Sequence, residues 1–306
     1  MALTLAEAAK LSNDMLRQGV IETIIKESPV LRQLPFIEIV GNGLTYNRES
    51  SLSTIDFYDV GDPWTESTPT FDQRTANLKI MGGDADVDNF LKATRSNIQD
   101  LEAAVIEIKA KALKDKFEET FIYGNSSVNA KQFDGLRKLI DTSTAGSQVI
   151  AAGGTGAVLT LAMLDQLIDA IKGGRPDLLL MSRRTRRKVN ALVRGSGGMM
   201  QTDRDNFGNF IEFWDGVPIG VSDWILDTHV VSGSLETATT GGACSTVYAL
   251  QFGEGGLCGL TAPGYIAAER VGSLETKDAT RTRIKWYVAL ALFSAVKAAA
   301  LIGVQD

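Results

Sequence analysis

The stretch SNIQDLEAAVIEIKAKALKDKFEETFIYGNSSVNAKQFDGLRKL, residues 96–139, carries the strongest structural signal in the chain. Apolar residues recur in its first part at intervals of mostly three or four. This spacing predicts an amphipathic helix over 97–121, about 37 Å long, that ends at Tyr123-Gly124-Asn125. The predicted buried stripe consists of Ile98, Leu101, Val105, Ile108, Ala112, Phe117 and Phe121.

The polar side of this helix has a pattern of its own. Ser96 followed by Gln99 is typical of a capping box at a helix start. Glu107 and Lys111 are one turn apart, so we expect them to pair. The apolar stripe is expected to face a sheet of the same subunit, and the charged face is expected to stay accessible. That charged face includes Lys109, Lys116 and Glu119.

Composition places the chain among globular proteins and limits its chemistry. Its 306 residues carry a net charge of −6, with both signs spread along the chain. This balance gives no general electrostatic reason to bind nucleic acid. Cys244 and Cys258 have no C-x-x-C spacing or histidine cluster beside them, so we expect buried free thiols rather than a zinc site. No cofactor is predicted.

No catalytic constellation stands out. His229 is the only histidine, and no serine or cysteine lies in a nucleophile elbow. The glycines of 153–157 lack the features of a dinucleotide or phosphate loop, so a linker is the better interpretation. A soluble α+β enzyme stays an alternative, and it would have to pair His229 with a nearby acid in a pocket.

Three aspartates at alternate positions resemble the start of a calcium loop. The sixth and twelfth positions of that loop, however, are Asn89 and Arg95 rather than glycine and glutamate. A solvated acidic segment is therefore predicted at Asp84, Asp86 and Asp88.

The chain divides by composition into several segments. Residues 1–40 predict a helical arm, and residues 41–82 predict a long hairpin or projecting loop with extended segments at Thr45–Arg48 and Asn77–Ile80. The glycines of 151–158 mark a domain boundary. The elements predicted beyond it are a helix over 161–172, a buried strand over 178–181, a basic helix capped by Ser182, short strands at 211–214, 217–221, 247–252 and 257–261, and one long strand over 270–288.

Neither end of the chain has a clear targeting or membrane signal. The first 19 residues lack the basic start and continuous apolar run of a signal peptide. Residues 286–304 are mostly apolar, but Lys297 lies inside them. We expect a strand and a following buried segment there, with a transmembrane helix as the alternative.

Two charged segments are candidate contact sites. The projecting loop is acidic, and the predicted helix after Ser182 is basic. Arginine clusters bind phosphates or acidic patches, although a solvated helix is also typical of such a sequence. Our hypothesis is that the loop of one copy meets the basic helix of another. The candidate contact residues are Asp56, Asp59, Asp62, Trp64 and Glu66 in the loop and Arg183, Arg184, Arg186, Arg187 and Lys188 in the helix.

The order of these elements resembles that of the major capsid proteins of tailed bacteriophages with the Hong Kong 97 (HK97) fold. The resemblance covers most of the chain, and the order and spacing of several short motifs carry it. These are Tyr123-Gly124-Asn125, Phe133-Asp134-Gly135-Leu136, Trp214-Asp215-Gly216-Val217-Pro218-Ile219 and Phe252-Gly253.

The resemblance implies an α+β fold with four parts: an N-terminal arm, an extended loop, a peripheral domain with a long spine helix and long β-strands, and an axial domain with a central mixed sheet flanked by helices. Residues 1–40 would be the N-terminal arm and 41–82 the extended loop lying over an adjacent subunit. Residues 83–150 and 266–295 would form a peripheral domain containing the spine helix 97–121. Residues 151–265 and 296–306 would form an axial domain around the symmetry axes.

The resemblance also implies function and partners. Copies of the chain would form hexamers and pentamers of an icosahedral virion shell, assembled in the host bacterial cytoplasm around double-stranded DNA that is touched only weakly and non-specifically. Separate scaffold, portal and decoration or cement proteins would be the other partners, and no membrane would be involved. An encapsulin-type nanocompartment shell, which has the same fold and a different cargo, is the main alternative.

Overall fold

The computed structural model describes residues 28–51, 53–68, 70–95, 101–143, 148–204, 210–232, 235–237 and 241–306. The predicted capping box at Ser96 and Gln99, the stripe residue Ile98 and the first part of the predicted arm lie outside these residues. The helices are α1 (Asn89–Arg95), α2 (Leu101–Tyr123), α3 (Leu136–Ser143), α4 (Leu161–Asp169) and α5 (Arg183–Gly195). The strands are β1 (Phe36–Glu38), β2 (Gly43–Ser51), β3 (Thr70–Asn77), β4 (Lys79–Asp88), β5 (Val149–Ala151), β6 (Ala157–Val158), β7 (Leu178–Met181), β8 (Gln201–Arg204), β9 (Phe210–Trp214), β10 (Val217–Val221), β11 (Val230–Ser232), β12 (Leu235–Thr237), β13 (Ser245–Leu250), β14 (Leu257–Ser273), β15 (Ala279–Leu292) and β16 (Ala298–Gln305).

The first sheet has four strands, and helix α2 packs against it. The strand order is β1–β14–β15–β4, with β14 and β15 forming a long antiparallel hairpin. Phe117 of α2 stacks on Trp286 of β15, with ring centroids 4.9 Å apart, and Phe36 of β1 contacts both rings. This aromatic cluster fixes how the helix lies on the sheet.

The buried stripe of α2 differs from the predicted one. Ile108 is 65% exposed and Ala112 is also exposed, so the prediction was wrong at these positions. Apolar residues occupy more than one face of the helix, and spacing alone cannot choose among them. Docking of Phe117 on Trp286 sets the rotation, and the buried residues that follow from it are Ile106, Ala110, Leu113, Phe117 and Phe121.

The polar side of α2 agrees with the sequence. Lys111 pairs with Glu107 at 2.9 Å, as predicted. Lys109 and Lys116 are exposed, and Lys116 pairs with Glu119 at 2.8 Å. The charged face of α2 is therefore accessible in the single chain.

The second sheet is mixed and runs in the order β5–β16–β13–β7–β10–β9–β8, with β6 also paired to β16. Strand β7 is buried at every position, as its uninterrupted apolar sequence predicted. The C-terminal strand β16 is almost wholly buried, which confirms a buried segment at the end of the apolar stretch 286–304. Among the described residues, no helix is both long and apolar enough to cross a membrane.

Strands β2 and β3 form an antiparallel hairpin that stands apart from both sheets. This confirms the predicted hairpin within 41–82. The predicted extended segment Asn77–Ile80 is divided at Leu78, because β3 ends there and β4 then joins the first sheet. Residues 53–68, at the far end of the hairpin, have no helix or strand among them.

One sequence prediction for the first sheet is wrong. The stretch 270–288 is not one strand, because the chain turns between Ser273 and Ala279 and returns as β15. Its polar residues suit a turn, and Leu274 N–H donates to the Ala279 carbonyl across it. In addition, β14 belongs to the first sheet from Leu257 onwards, so the predicted domain boundary at 266 falls inside a strand.

The predicted acidic segment is a paired strand face rather than a solvated segment. Asp84 and Asp86 alternate along β4 and lie opposite Arg283 and Arg281 of β15, which form ion pairs with them at 2.7 and 2.6 Å. Hydrogen bonds from these guanidinium groups lower the pKa of both carboxyls. The alternate spacing that resembles a calcium loop is therefore the period of a β-strand.

Candidate subunit-contact surfaces

The end of the hairpin exposes large apolar side chains. Ile55, Phe57, Val60 and Trp64 are each at least four-fifths exposed. Exposed apolar patches of this kind mark interaction surfaces. The hairpin therefore presents an apolar surface that suits contact with another molecule.

Local contacts give this loop a defined shape. Tyr58 stacks on Trp64 with ring centroids 4.6 Å apart, and Thr65 N–H donates to the Tyr58 hydroxyl. Asp62 accepts a hydrogen bond from Asp59 N–H at 2.8 Å and closes the turn between them. The loop is thus a small preformed platform rather than an unstructured connection.

The base of the hairpin is anchored to the end of β15. The guanidinium group of Arg48 donates to the Leu292 carbonyl through Nε at 2.8 Å and through Nη2. The Tyr46 ring meets Phe293 edge-on at 4.9 Å. These contacts set the direction in which the hairpin leaves the first sheet.

The turn after α2 explains two of the motifs that carried the resemblance. Gly124 donates to the Thr120 carbonyl, and Gly135 N–H donates to the Gly124 carbonyl at 2.8 Å. A Cβ at either glycine would lie within about 2.5 Å of backbone carbonyl oxygens, so the two segments can approach only as glycines. Asp134 accepts from Ser126 N–H at 2.7 Å and closes the turn.

A third motif, Trp214–Ile219, is a tight hairpin in the second sheet. Asp215 has φ 47° and Gly216 φ 77°, the left-handed pair that a two-residue hairpin turn requires. Arg175 donates to the Asp215 carbonyl at 2.7 Å and fixes the turn from outside.

The basic helix α5 begins at the predicted cap, since Ser182 Oγ accepts from Thr185 N–H. Its cations, however, mostly have partners within the same chain. Arg183 pairs with Asp223, and Arg186 lies 3.8 Å from Glu212. The arrangement reduces the charge that this helix offers to another molecule.

The remaining cations of α5 lie near the C-terminal residue. Arg184 pairs with Asp306 at 2.9 Å, and the 77% exposed Arg187 lies 3.8 Å from the same carboxylate. Lys188 has no ion pair among the residues that the structure describes. The structure therefore does not bring the acidic loop and the basic helix together within one chain.

The only histidine is part of a buried hydrogen-bond network. His229 is fully buried, and its Nδ1 lies 3.0 Å from Oε1 of Glu236. Its Nε2 is hydrogen-bonded to the Tyr123 hydroxyl at 2.9 Å, and Leu226 N–H donates to that hydroxyl. Thr246 Oγ1 donates to Glu236. The sequence analysis considered an acid near His229 without naming Glu236, and it missed Tyr123, which precedes His229 by 106 residues.

Burial determines the titration of this network. Desolvation raises the pKa of Tyr123 to about 12. Desolvation acts in the same direction on Glu236, but hydrogen bonds and the charge of His229 outweigh it and lower the pKa of that carboxyl. The hydrogen bond between Tyr123 and His229 joins the end of α2 to the second sheet.

The cysteines and the possible metal ligands were the other candidates for chemistry. Cys244 and Cys258 are buried and free, as predicted. Within the described ranges, no group of three or more His, Cys, Asp or Glu side chains is placed to hold a metal ion.

A family model described as SU10 major capsid protein matches residues 61–239, more than half of the chain. The chain belongs to the SU10 major capsid protein family. It is therefore a structural subunit of the virion shell and not an enzyme. The match includes the second half of the exposed loop, helix α2 and strands β5 to β10 of the second sheet. No curated protein matches this capsid protein.

Solved structures show that the capsid protein has the HK97-like α+β fold. It is similar to the cyanophage A-1(L) capsid protein, with a TM-score of 0.68 and 12% identity over 92% of this chain and 93% of that chain. The SrpI encapsulin of Synechococcus elongatus PCC 7942 gives a TM-score of 0.67 and 18% identity over 90% and 87%. A structure from Mycobacterium phage Bobi is also similar, with a TM-score of 0.60 and 15% identity over 91% of this chain and 90% of that chain.

Proposed function

We propose that this capsid protein assembles into hexamers and pentamers that close into an icosahedral shell around double-stranded DNA. Self-association is the function of a major capsid protein, and the match to that family carries the proposal. The exposed apolar loop of residues 53–68 supports it physically, because a monomer would leave Phe57 and Trp64 in water.

The two sheets support a division of the subunit into an arm, a loop and two domains. Residues 1–40 are proposed as the arm and 41–82 as the loop that lies over an adjacent subunit. The first sheet with α2 is proposed as the peripheral domain, and the second sheet with α4 and α5 as the axial domain. Because β14 belongs to the first sheet from its first residue, the boundary between the axial and peripheral domains is proposed at Leu257 rather than at residue 266.

The proposed contact residues differ in how well they suit the role. The loop residues Asp56, Asp59, Asp62, Trp64 and Glu66 are all exposed and available to a neighbour. On α5, Lys188 is the better candidate, because the four candidate arginines each lie 3.8 Å or less from an acid of their own chain. Scaffold, portal and decoration or cement proteins are proposed as further partners.

Contact with packaged DNA is proposed to be weak and non-specific. The chain is acidic overall, with a net charge of −6, and Arg281 and Arg283 on the first sheet are paired with Asp86 and Asp84. Strong attraction would oppose both packaging and release of the DNA.

Negative-stain electron microscopy of the purified protein tests the proposal. Uniform hollow shells or ring-shaped capsomers are expected. A monodisperse monomer under all assembly conditions, including with co-expressed phage scaffold, would contradict it.

A nanocompartment shell is the second candidate, favoured by the likeness to the SrpI encapsulin. The contents of shells isolated from the natural source distinguish the two. Nuclease-protected double-stranded DNA supports the phage capsid, whereas a protein cargo without DNA supports the nanocompartment.

A further inference from the structure

A cationic pocket lies at the base of the projecting hairpin. It has a volume of about 270 Å³ and lies between β2, β3 and the segment 126–139 that follows α2. Four cationic side chains line it, and Asp134 is the one carboxylate among its lining residues. The cations are Arg48, Arg74, Lys79 and Lys138.

Two of these cations have acidic partners and two do not. Lys138 pairs with Asp134 at 3.3 Å, and Arg74 pairs with Asp72 at 2.7 Å. Arg48 and Lys79 instead donate to backbone carbonyls, those of Leu292 and Ala130, and neither has a carboxylate partner among the residues that the structure describes.

Burial makes a cation without a carboxylate partner energetically unfavourable. Arg48 is only 7% exposed, so its charge is largely removed from water without a counter-ion. A buried charge is stable when it is paired, and an approaching carboxylate would gain from both Arg48 and Lys79. The apolar rings of Tyr46 and Phe133 at the same pocket suit the methylene groups of an acidic side chain.

The loop at the far end of the hairpin carries the complementary charge. Residues 53–68 contain four acids and no lysine or arginine. Asp56, Asp59 and Asp62 each accept a hydrogen bond from a backbone N–H of the loop. Glu66 is exposed and, among the described residues, has no hydrogen bond or ion pair, so its carboxylate is the one left for another molecule.

We infer that Glu66 of one copy occupies the pocket of an adjacent copy, between Arg48 and Lys79. The inference rests on the proposed assembly, and it specifies the site on the adjacent copy that receives the loop of residues 53–68. Within one chain Arg48 and Lys79 donate to backbone carbonyls and neither pairs with Glu66. A second copy, which brings the same exposed carboxylate from outside, is therefore the occupant that we infer.

For Glu66, this pocket is a better receptor than the arginines of α5. The α5 arginines are neutralised by Asp223, Glu212 and Asp306 of their own chain, whereas the pocket retains two cations without acids. An incoming carboxylate gains most where no internal partner has to be displaced.

Charge reversal tests the pairing. Glu66→Lys and Lys79→Glu, each alone, are expected to raise the concentration needed for shell formation by about tenfold or more, as for a broken interfacial charge pair. The double variant Glu66→Lys/Lys79→Glu is expected to assemble at a concentration nearer to the wild-type value. Lys131→Glu, an exposed reversal on the same segment outside the pocket lining, is the matched control and should assemble like the wild type.

Cross-linking provides a readout that does not depend on yield. Chains carrying Glu66→Cys are mixed with chains carrying Lys79→Cys, assembled and treated with a short bismaleimide. Links between the two kinds of chain are expected, and none with Lys172→Cys, an exposed position that follows α4. The native cysteines are buried, and the wild-type protein controls for their reaction.

The outcomes separate the inference from the proposed function. If wild-type shells form but Glu66→Lys assembles normally, or the double variant is no better than either single one, the inference is overturned and the assembly stands. Absence of mixed cross-links in intact shells also overturns it. If the wild type never forms shells or capsomers, both fail.

Discussion

Tyr123, at the last position of α2, is hydrogen-bonded through its hydroxyl to Nε2 of His229 at 2.9 Å. The two residues lie in different parts of the fold, because α2 packs on the first sheet and His229 precedes β11 beside the second. The rings also meet edge-on, with centroids 5.7 Å apart. One side-chain pair thus ties the long helix to the part of the subunit proposed as the axial domain.

Removing the Tyr123 hydroxyl tests this connection. Tyr123→Phe leaves the ring in place but removes the hydroxyl to which His229 Nε2 and Leu226 N–H are hydrogen-bonded. The free energy of unfolding of the unassembled subunit is expected to fall by about 1–3 kcal/mol, the usual cost of unsatisfied buried polar groups. Urea unfolding followed by circular dichroism measures it. A change within experimental error would show that water or a rearrangement satisfies both groups.

The Glu236 carboxylate predicts a specific dependence of stability on pH. Its pKa is lower in the folded protein than the unfolded value of about 4.3, so its contribution is present above that pH and is lost as the pH falls through the folded pKa. Glu236→Gln removes this contribution. The wild type and the variant should therefore differ most near neutral pH and converge in acid, as measured by urea unfolding between neutral pH and about pH 3. A difference that grows on acidification would contradict the assigned direction of the shift.

The rotation of α2 can be tested by comparing one buried and one exposed residue. Phe117→Ala removes the ring that stacks on Trp286 and should cost about 3–5 kcal/mol of unfolding free energy. Ile108→Ala, a position of the predicted stripe that the structure exposes, should change it by less than about 0.5 kcal/mol. Equal losses would mean that the helix is rotated toward the stripe predicted from sequence.

Trp64 is expected to matter for assembly and not for folding. It is 83% exposed and stacks only on Tyr58 of its own loop, so Trp64→Ala should leave the melting temperature of the unassembled subunit unchanged. Buried aromatic anchors dominate the energy of interfaces, and the variant should therefore form few or no shells. Light scattering during assembly gives the comparison. Phe90→Ala, another exposed aromatic outside the loop, serves as the matched control.

Local patterns in the sequence predicted the individual elements well. The apolar run Leu178–Met181 and the cap at Ser182 have only one reasonable interpretation, and both are confirmed. The hairpin of β2 and β3 was also expected, because Gly, Pro and acidic residues separate two extended segments.

Features that depend on long-range packing could not be predicted. Asp84 and Asp86 resembled part of a calcium loop because their partners, Arg283 and Arg281, lie almost two hundred residues away. The rotation of α2 required knowledge of Trp286, and the pocket beneath the hairpin required the turn after α2 to fold back beside Arg48. Such arrangements are set by the tertiary fold and leave no periodic signal in the sequence.

A cryo-electron microscopy reconstruction of assembled shells tests the central claim most directly, because it shows where residues 53–68 lie. The proposed function predicts that this loop crosses onto an adjacent subunit and that Trp64 becomes buried there. A shell in which the loop projects into solvent with Trp64 exposed, or folds back on its own subunit, would contradict the claim.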